Sequence, residues 1–488
     1  MGARRLQERS PRRSVQWMRP PLRSVPRTGP PMSSVSDRNA PVLADIHEIA
    51  VFRALVLGDM LCSVPTFRAL RRRFPDARIT LIGLRWARQF VDRFGAYIDD
   101  FVEFAGFPGI VERDVDPARV IGSIAELQAR HFDLAIQLHG SGLTSNGFVS
   151  LLGARMTAGF VLPGTAPPSP PAAGIWVEYL GHGREVHRLL RIAEALGGEV
   201  DDSPEFPLGA DDEADLAAAL PFPLVPGRYV VVHPGASHPP RRWPAEQFAA
   251  AADHLARSGL RIVITGTEAE REVARAVAER MEEPALDLSG TTSLGALGVL
   301  IRDSALMLAN DTGVSHVAAG VRTPSVILFS EADPVRWAPL DETRHIALGG
   351  IPGEQECPHP RGGPHRCMAD GCRLRPRDPR PTEALFPSLG QVIQALDRLD
   401  HASRDGEISR PPARDCRVGR SCSPGRRVDA PGTGTRGRGP GTSEATRPSR
   451  SSATGRHSPE NRSAASAAAP SACRPSRASR LAPPPTNG

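Results

Sequence analysis

Short apolar runs alternate along the middle of the chain with stretches whose apolar positions recur every three or four residues. Such alternation predicts strands and helices in turn, and hence a parallel α/β architecture. In the first half the runs predict strands at Val51–Leu57, Ile79–Ile82, Phe101–Phe104, Leu134–Leu138 and Met156–Phe160. A helix carrying Leu61, Val64, Phe67 and Leu70 follows the first strand, and another covers Glu185–Leu196. A second series begins with a strand at Tyr229–Val232 and continues at Arg261–Ile264, Ala285–Leu288, Leu306–Ala309 and Ser325–Phe329. Its helices fall near Ala245–Arg257, Glu268–Met281, Leu294–Ile301 and Val314–Gly320. Two doubly wound halves of similar size predict a cleft between lobes, with ligands beyond the carboxyl ends of the strands.

The pattern fades at both ends and at the centre. Residues 1–45 are rich in Arg, Pro and Ser without an apolar period, and 401–488 are similar, so both are expected to be disordered extensions. Met32 would serve as a start codon inside the first. Residues 46–200 then form the first lobe and 228–400 the second, joined by an acidic, Pro-punctuated linker at 201–227. Within the first lobe, the Pro-rich stretch 161–175 reads as a loop.

Composition narrows the classes. All 60 basic residues are Arg, and with abundant Ala, Gly and Pro this is the bias of a GC-rich genome. The net charge of +6 is therefore weak evidence of a nucleic-acid partner, and no groove-reading motif accompanies it. Arg68, Arg71, Arg72 and Arg73 form a basic helix face, suited to peripheral contact with an anionic membrane surface or simply to solvation. Seven cysteines, an odd number at low density, suit a reducing compartment. No window reaches the ~18 apolar residues of a membrane helix, so a cytoplasmic protein is expected. Cys357, His359, Cys367 and Cys372 are zinc-ligand types, yet they lack a tight Cys pair, and a structural loop without metal is expected.

Several strand-to-helix turns carry candidate chemistry. HPGAS (His233–Ser237) leads to RRWP (Arg241–Pro244), where backbone N–H groups, Ser237 and an Arg suit a phosphate; helix capping explains the same residues without a ligand. In TGTEAE, Glu268 stands ready for ribose hydroxyls or for a helix dipole. In ANDTGVSHVAAG, Asp311, Thr312, Gly313 and His316 gather more polar groups than one helix cap requires, which suits a diphosphate. In the first half, Asp59 of LGDMLCSVP falls at the end of the first strand, placed for a general base or a cap. Gln137 and His139 of QLHGSG are candidate acceptor contacts.

Taken together, GDMLCSVPTFRALRRRFPDARITLIG, FDLAIQLHGSG, LLGARMTAGF, HPGAS with RRWP, NDTGVSHVAAGVRTPSVILF and DPVRW resemble glycosyltransferase family 9, the heptosyltransferase family of lipopolysaccharide core assembly. The resemblance spans Ile49 to Leu396 and implies a GT-B fold, two Rossmann-like lobes with acceptor on the first and nucleotide-sugar donor on the second. It implies inverting transfer of a sugar such as heptose, from ADP-heptose or a similar donor to a glycan or glycolipid, with no metal or other cofactor. Asp59 then matches the general base, Glu268 the ribose contact, and Asp311, Thr312, Gly313 and His316 the sugar- and phosphate-contacting turn. Arg241 stands where members commonly have Lys, and Ser330 where they often have Gly. A catalytically inactive nucleotide-sugar-binding homologue and a nucleotide-sugar epimerase are the alternatives.

Overall fold

The computed structural model describes Leu43 and residues 45–165, 173–351 and 385–405. The predicted extensions before Leu43 and after residue 405, and the Cys357–Cys372 stretch, lie outside the described residues.

The first lobe is one parallel sheet with its helices: β1 (Glu48–Phe52), α1 (Leu57–Arg73), β2 (Arg78–Gly83), α2 (Ala87–Arg93), β3 (Asp100–Glu103), α3 (Pro117–Gln128), β4 (Leu134–Gln137), α4 (Ser145–Ser150), β5 (Met156–Val161), β6 (Ala173–Glu178) and α5 (Glu185–Ala195). The chain crosses on α6 (Ala210–Ala219) and winds a second sheet: β7 (Tyr229–His233), α7 (Ala245–Arg257), β8 (Arg261–Ile264), α8 (Arg271–Ala278), β9 (Ala285–Asp287), α9 (Leu294–Asp303), β10 (Leu306–Asn310), α10 (Gly313–Gly320), β11 (Ser325–Phe329), α11 (Pro334–Trp337), β12 (His345–Gly349) and α12 (Leu389–Arg404). Strand order is β3-β2-β1-β4-β5-β6 in one sheet and β12-β11-β10-β7-β8-β9 in the other, the same winding read from opposite edges. Central strands such as Tyr229–His233 and Ser325–Phe329 are buried throughout, because helices cover both faces of a parallel sheet. The winding reverses beside β1 and β4, and again beside β7 and β10, which sets the two switch points where ligands bind in such sheets.

Several sequence boundaries shift. The apolar run Val51–Leu57 is not one strand: β1 ends at Phe52, a turn follows that buries Arg53 and Ala54 and exposes Val56, and Leu57 already begins α1. The Pro-rich stretch gives way to an edge strand from Ala173, and a second edge strand, His345–Gly349, had no strong pattern. Residues 401–404, expected in the disordered extension, are instead the end of α12, which runs to Arg404 behind a Ser388 capping box.

The segment 201–227 is more than a tether. α6 packs on α9 of the second lobe, while Arg93 of the first lobe makes a bidentate pair with Asp212, both contacts at 2.9 Å. A methyl group on Gly295 of α9 would stand 1.7 Å from Asp212 Oδ1, so the pair nests over that glycine. Phe206 fills notches left by Gly298 and Gly320, where a Cβ would approach its atoms to 2.6 Å and 2.7 Å, and its ring lies beneath the Arg93 guanidinium. Arg68, buried, donates to Glu205 at 2.7 Å and to the carbonyls of Asp201 and Ser203. The predicted basic face is thus largely committed inward, as Arg71 pairs with Asp99 and Arg73 donates to the Leu196 carbonyl. Among the described residues no helix is long and apolar enough to cross a membrane.

Candidate active site

The two switch points meet across the cleft. α1 starts behind Val56 and α10 behind Thr312, and neither flanking residue caps its helix with a side-chain hydrogen bond. A methyl group on Gly58 would stand 3.3 Å from Gly313 Cα and 3.2 Å from His316 Cδ2; one on Gly313 would stand 2.9 Å from Leu57 Cβ. Glycine on both sides permits this approach. Two positive helix ends without side-chain caps at one place favour an anion beside them.

Asp59 lies in the first turn of α1, the third residue of the helix rather than at a strand end, and its side chain is 22% exposed. Burial holds its carboxyl above the ordinary 3.8; Glu185 pushes the same way, while Arg53, Arg336 and His139 oppose it. Arg53, 1% exposed, donates Nε and Nη2 to the main-chain carbonyl of Asp59 at 3.1 Å and 2.8 Å. Its Nη2 also lies 3.5 Å from Glu185 Oε1 and 3.8 Å from Asp59 Oδ1. No motif announced Arg53; the only signal was an arginine interrupting the apolar run VFRALVLG.

Gln137 and His139 behave differently from acceptor contacts. Gln137 is fully buried, donating to Ser145 Oγ at 2.7 Å and accepting from Phe160 N at 3.1 Å, so its amide closes the turn internally. His139 accepts from Ala54 N at 3.2 Å on Nδ1, stacks on Phe52, and places Nε2 3.3 Å from Glu112. His139 is among the groups whose charge acts on Asp59.

On the second lobe, Arg241 Nη2 donates to the Asp311 carbonyl at 2.6 Å and pairs with its carboxylate, beside the start of α10. Burial raises the Asp311 carboxyl and Arg241 opposes that rise. Ser237 is exposed on the neighbouring loop, and the buried Thr312 hydroxyl oxygen has no hydrogen-bond partner. His316 is desolvated to a pKa of about 4, so it is neutral near pH 7, with Cys62 Sγ 3.8 Å from its Nδ1. Of the two acids in TGTEAE, Glu268 points to the rim, 73% exposed and 2.7 Å from Arg271. Glu270 instead turns inward, accepting from Thr267 N and Oγ1 at 2.8 Å and filling the space where a Gly235 Cβ would sit. Glu268, the expected ribose contact, thus stands at the outer edge of this turn.

Asn310 staples this region. Fully buried, it accepts from Trp243 N at 3.1 Å and donates to the Pro234 carbonyl at 2.8 Å, joining RRWP to HPGAS. Arg242 Nε donates to the Ala236 carbonyl at 2.8 Å, and Ser330 Oγ to the Pro240 carbonyl at 3.2 Å. The Ser that departs from the common Gly therefore fixes the loop carrying Arg241. Asn310→Ala is expected to lower stability by about 1–3 kcal/mol, because buried donors and acceptors lose their partner; thermal melting checks this. Among the described residues no cluster of three or more His, Cys, Asp or Glu side chains is arranged to hold a metal ion.

Comparison with known proteins bears on family and fold. Residues 123–359 match the family described as Glycosyltransferase family 9 (heptosyltransferase). Lipopolysaccharide heptosyltransferase 3 of Escherichia coli K12 is 26% identical over 302 residues, which is 58% of this chain and 83% of that protein. A second Escherichia coli lipopolysaccharide heptosyltransferase 3 is 24% identical over 368 residues, 72% of this chain and 98% of its own. Among solved structures, a family 9 glycosyl transferase from Veillonella parvula superposes with a TM-score of 0.58 at 20% identity, covering 73% of this chain and 98% of its own. The ADP-heptose lipopolysaccharide heptosyltransferase II of Escherichia coli gives 0.54 at 18% identity, covering 74% and 100%. With its motifs set at the facing switch points of two Rossmann-like lobes, the chain is a glycosyltransferase of the GT-B fold that resembles glycosyltransferase family 9 over residues 123–359.

Proposed function

We propose that the protein transfers a heptose from a nucleotide-diphosphate donor such as ADP-heptose to a lipopolysaccharide-like or other glycan or glycolipid acceptor, with inversion and without a catalytic metal. The observation that supports this most is the meeting of two helix N-termini lacking side-chain caps at Gly58 and Gly313, with Asp59 on one side and Arg241 on the other. A diphosphate placed there meets both positive helix ends and a guanidinium 33% exposed to solvent, so its charge is balanced by the chain itself. Asp59 takes the proton of the acceptor hydroxyl as its oxygen attacks the anomeric carbon. The bond from that carbon to the diphosphate oxygen breaks, and the nucleoside diphosphate leaves with the electron pair. We place the reaction in the cytoplasm, where nucleotide-activated sugars are available.

The test is nucleoside diphosphate release by the full chain from a panel of ADP- and UDP-sugars, with and without glycolipid extracted from heptose-deficient cells. Release that requires both ADP-heptose and the extract is the expected result. Tight donor binding with no release in any mixture would instead identify an inactive binding homologue.

A further inference from the structure

The DPVRW motif closes on the catalytic side of the other lobe, a role that sugar transfer as described leaves unassigned. Asp333 caps its short helix by accepting from Val335 N at 2.8 Å, which aims Arg336 out of the second lobe. Arg336 donates Nε and Nη2 to Glu185 Oε2 at 3.1 Å and 2.8 Å, and its Nη2 lies 3.4 Å from the Tyr179 hydroxyl. Glu185 belongs to α5 of the first lobe, is 5% exposed, and also accepts from Arg188 Nη1 at 2.5 Å. Its other oxygen faces Arg53, and Arg53 holds the main chain of Asp59. Three buried arginines thus converge on one carboxylate, and only one of them comes from the second lobe.

From this chain of contacts, and resting on the reading of Asp59 as general base, we propose that Arg336 is a positioning residue. It reaches across the cleft to set, through Glu185 and Arg53, the placement and charge environment of Asp59, so that the base is competent only with the lobes together. With Arg336 withdrawn, Glu185 shares two arginines instead of three. Arg53 is drawn toward it and away from Asp59, and one positive charge leaves the surroundings of the base. A buried salt bridge contributes little net stability, so this ion pair is weak evidence of a purely structural role.

The charged and titratable groups around Asp59 are Arg53 from the β1–α1 turn, His139 after β4, Glu185 and Arg188 on α5, Arg336 on α11, and Cys62 one turn along α1 beside His316. Glu185 is held down to about 2 against its burial by Arg336, Arg188 and Arg53, so it stays ionised where the enzyme works. Arg336 lowers the Asp59 carboxyl and Glu185 raises it, which gives the two residues opposite signatures.

In the full chain, with ADP-heptose and heptose-deficient lipopolysaccharide, Arg336→Gln is expected to move the acidic limb of kcat/KM to higher pH. Glu185→Gln is expected to move it to lower pH, and Arg336→Lys to fall between wild type and Arg336→Gln. His139→Asn should leave the response to Arg336→Gln intact, and a response that vanishes there overturns the proposal. A uniform fall in activity at every pH with the limb unmoved would show that Arg336 merely fastens the lobes. Where Glu185→Gln or Arg336→Gln does not fold, Arg336→Lys decides: a limb displaced upward supports the role, and an unmoved one overturns it. Asp59→Asn measured alongside separates the two assignments. Loss of turnover there with an unmoved limb in the Arg336 variants removes the positioning role alone, whereas retained turnover removes the base on which it rests.

Discussion

Asp59→Asn is expected to lower kcat by about 10²–10⁴-fold, the usual contribution of a placed general base, with donor KM and melting temperature close to wild type. The asparagine keeps the shape of the side chain, and Arg53 grips the main-chain carbonyl at this position rather than depending on the carboxylate. The first turn of α1 therefore stays in place when the charge is removed. Steady-state nucleoside diphosphate release and a thermal melt measure both halves of the statement; a variant that melts early would move the loss from chemistry to folding. In the wild type, the sign of the pH effect follows from burial. The base works ionised and its folded pKa is raised, so kcat/KM falls as pH drops through a value above the ordinary 3.8.

Arg241→Ala is expected to lower kcat by about 10²–10³-fold, comparable to losing one preorganised donor at a developing oxyanion. As the bond to the anomeric carbon stretches, charge accumulates on the departing diphosphate, and a guanidinium beside the start of α10 meets that charge more strongly in the transition state than in the bound donor. Stability should fall by only about 1.5–3 kcal/mol, the value of hydrogen bonds to a charged group, as Asp311 loses its partner. Arg241→Lys retains the charge without the fork, so it should recover part of kcat. Initial rates against donor concentration distinguish this from a simple binding defect, in which KM rises and kcat is unchanged.

The fold was largely legible because parallel strands buried on both faces leave short continuous apolar runs, as in Tyr229–His233 and Ser325–Phe329. It failed where that rule relaxes. The edge strands Ala173–Glu178 and His345–Gly349 lack such runs, and ADDEADLAAA, helical by composition and with acids in its first turn, was hidden by flanking prolines. Of the site, the strand-to-helix turns could be read because chain topology alone brings them to the cleft, and Arg241 does meet Asp311 there. Direction could not be read. Whether Glu268 or Glu270 faces inward depends on the phase of a single 3₁₀ turn, and whether Gln137 reaches out or folds back depends on Ser145 and Phe160. The pairing of Arg53, Glu185 and Arg336 could not be read for a further reason: an ion network assembled from three distant segments leaves no local spacing to find.

The stretch from Asp201 to Asp212 works as a ruler. Surface connections ordinarily accept insertions because nothing counts their residues, but here Arg68 reads Asp201, Ser203 and Glu205, the glycine notches read Phe206, and Arg93 reads Pro207 and Asp212. One added residue would put every later mark out of step with both lobes. Loop grafting and length variation between homologues of this chain therefore meet a fixed gauge at the place where a sequence alone suggests the most freedom.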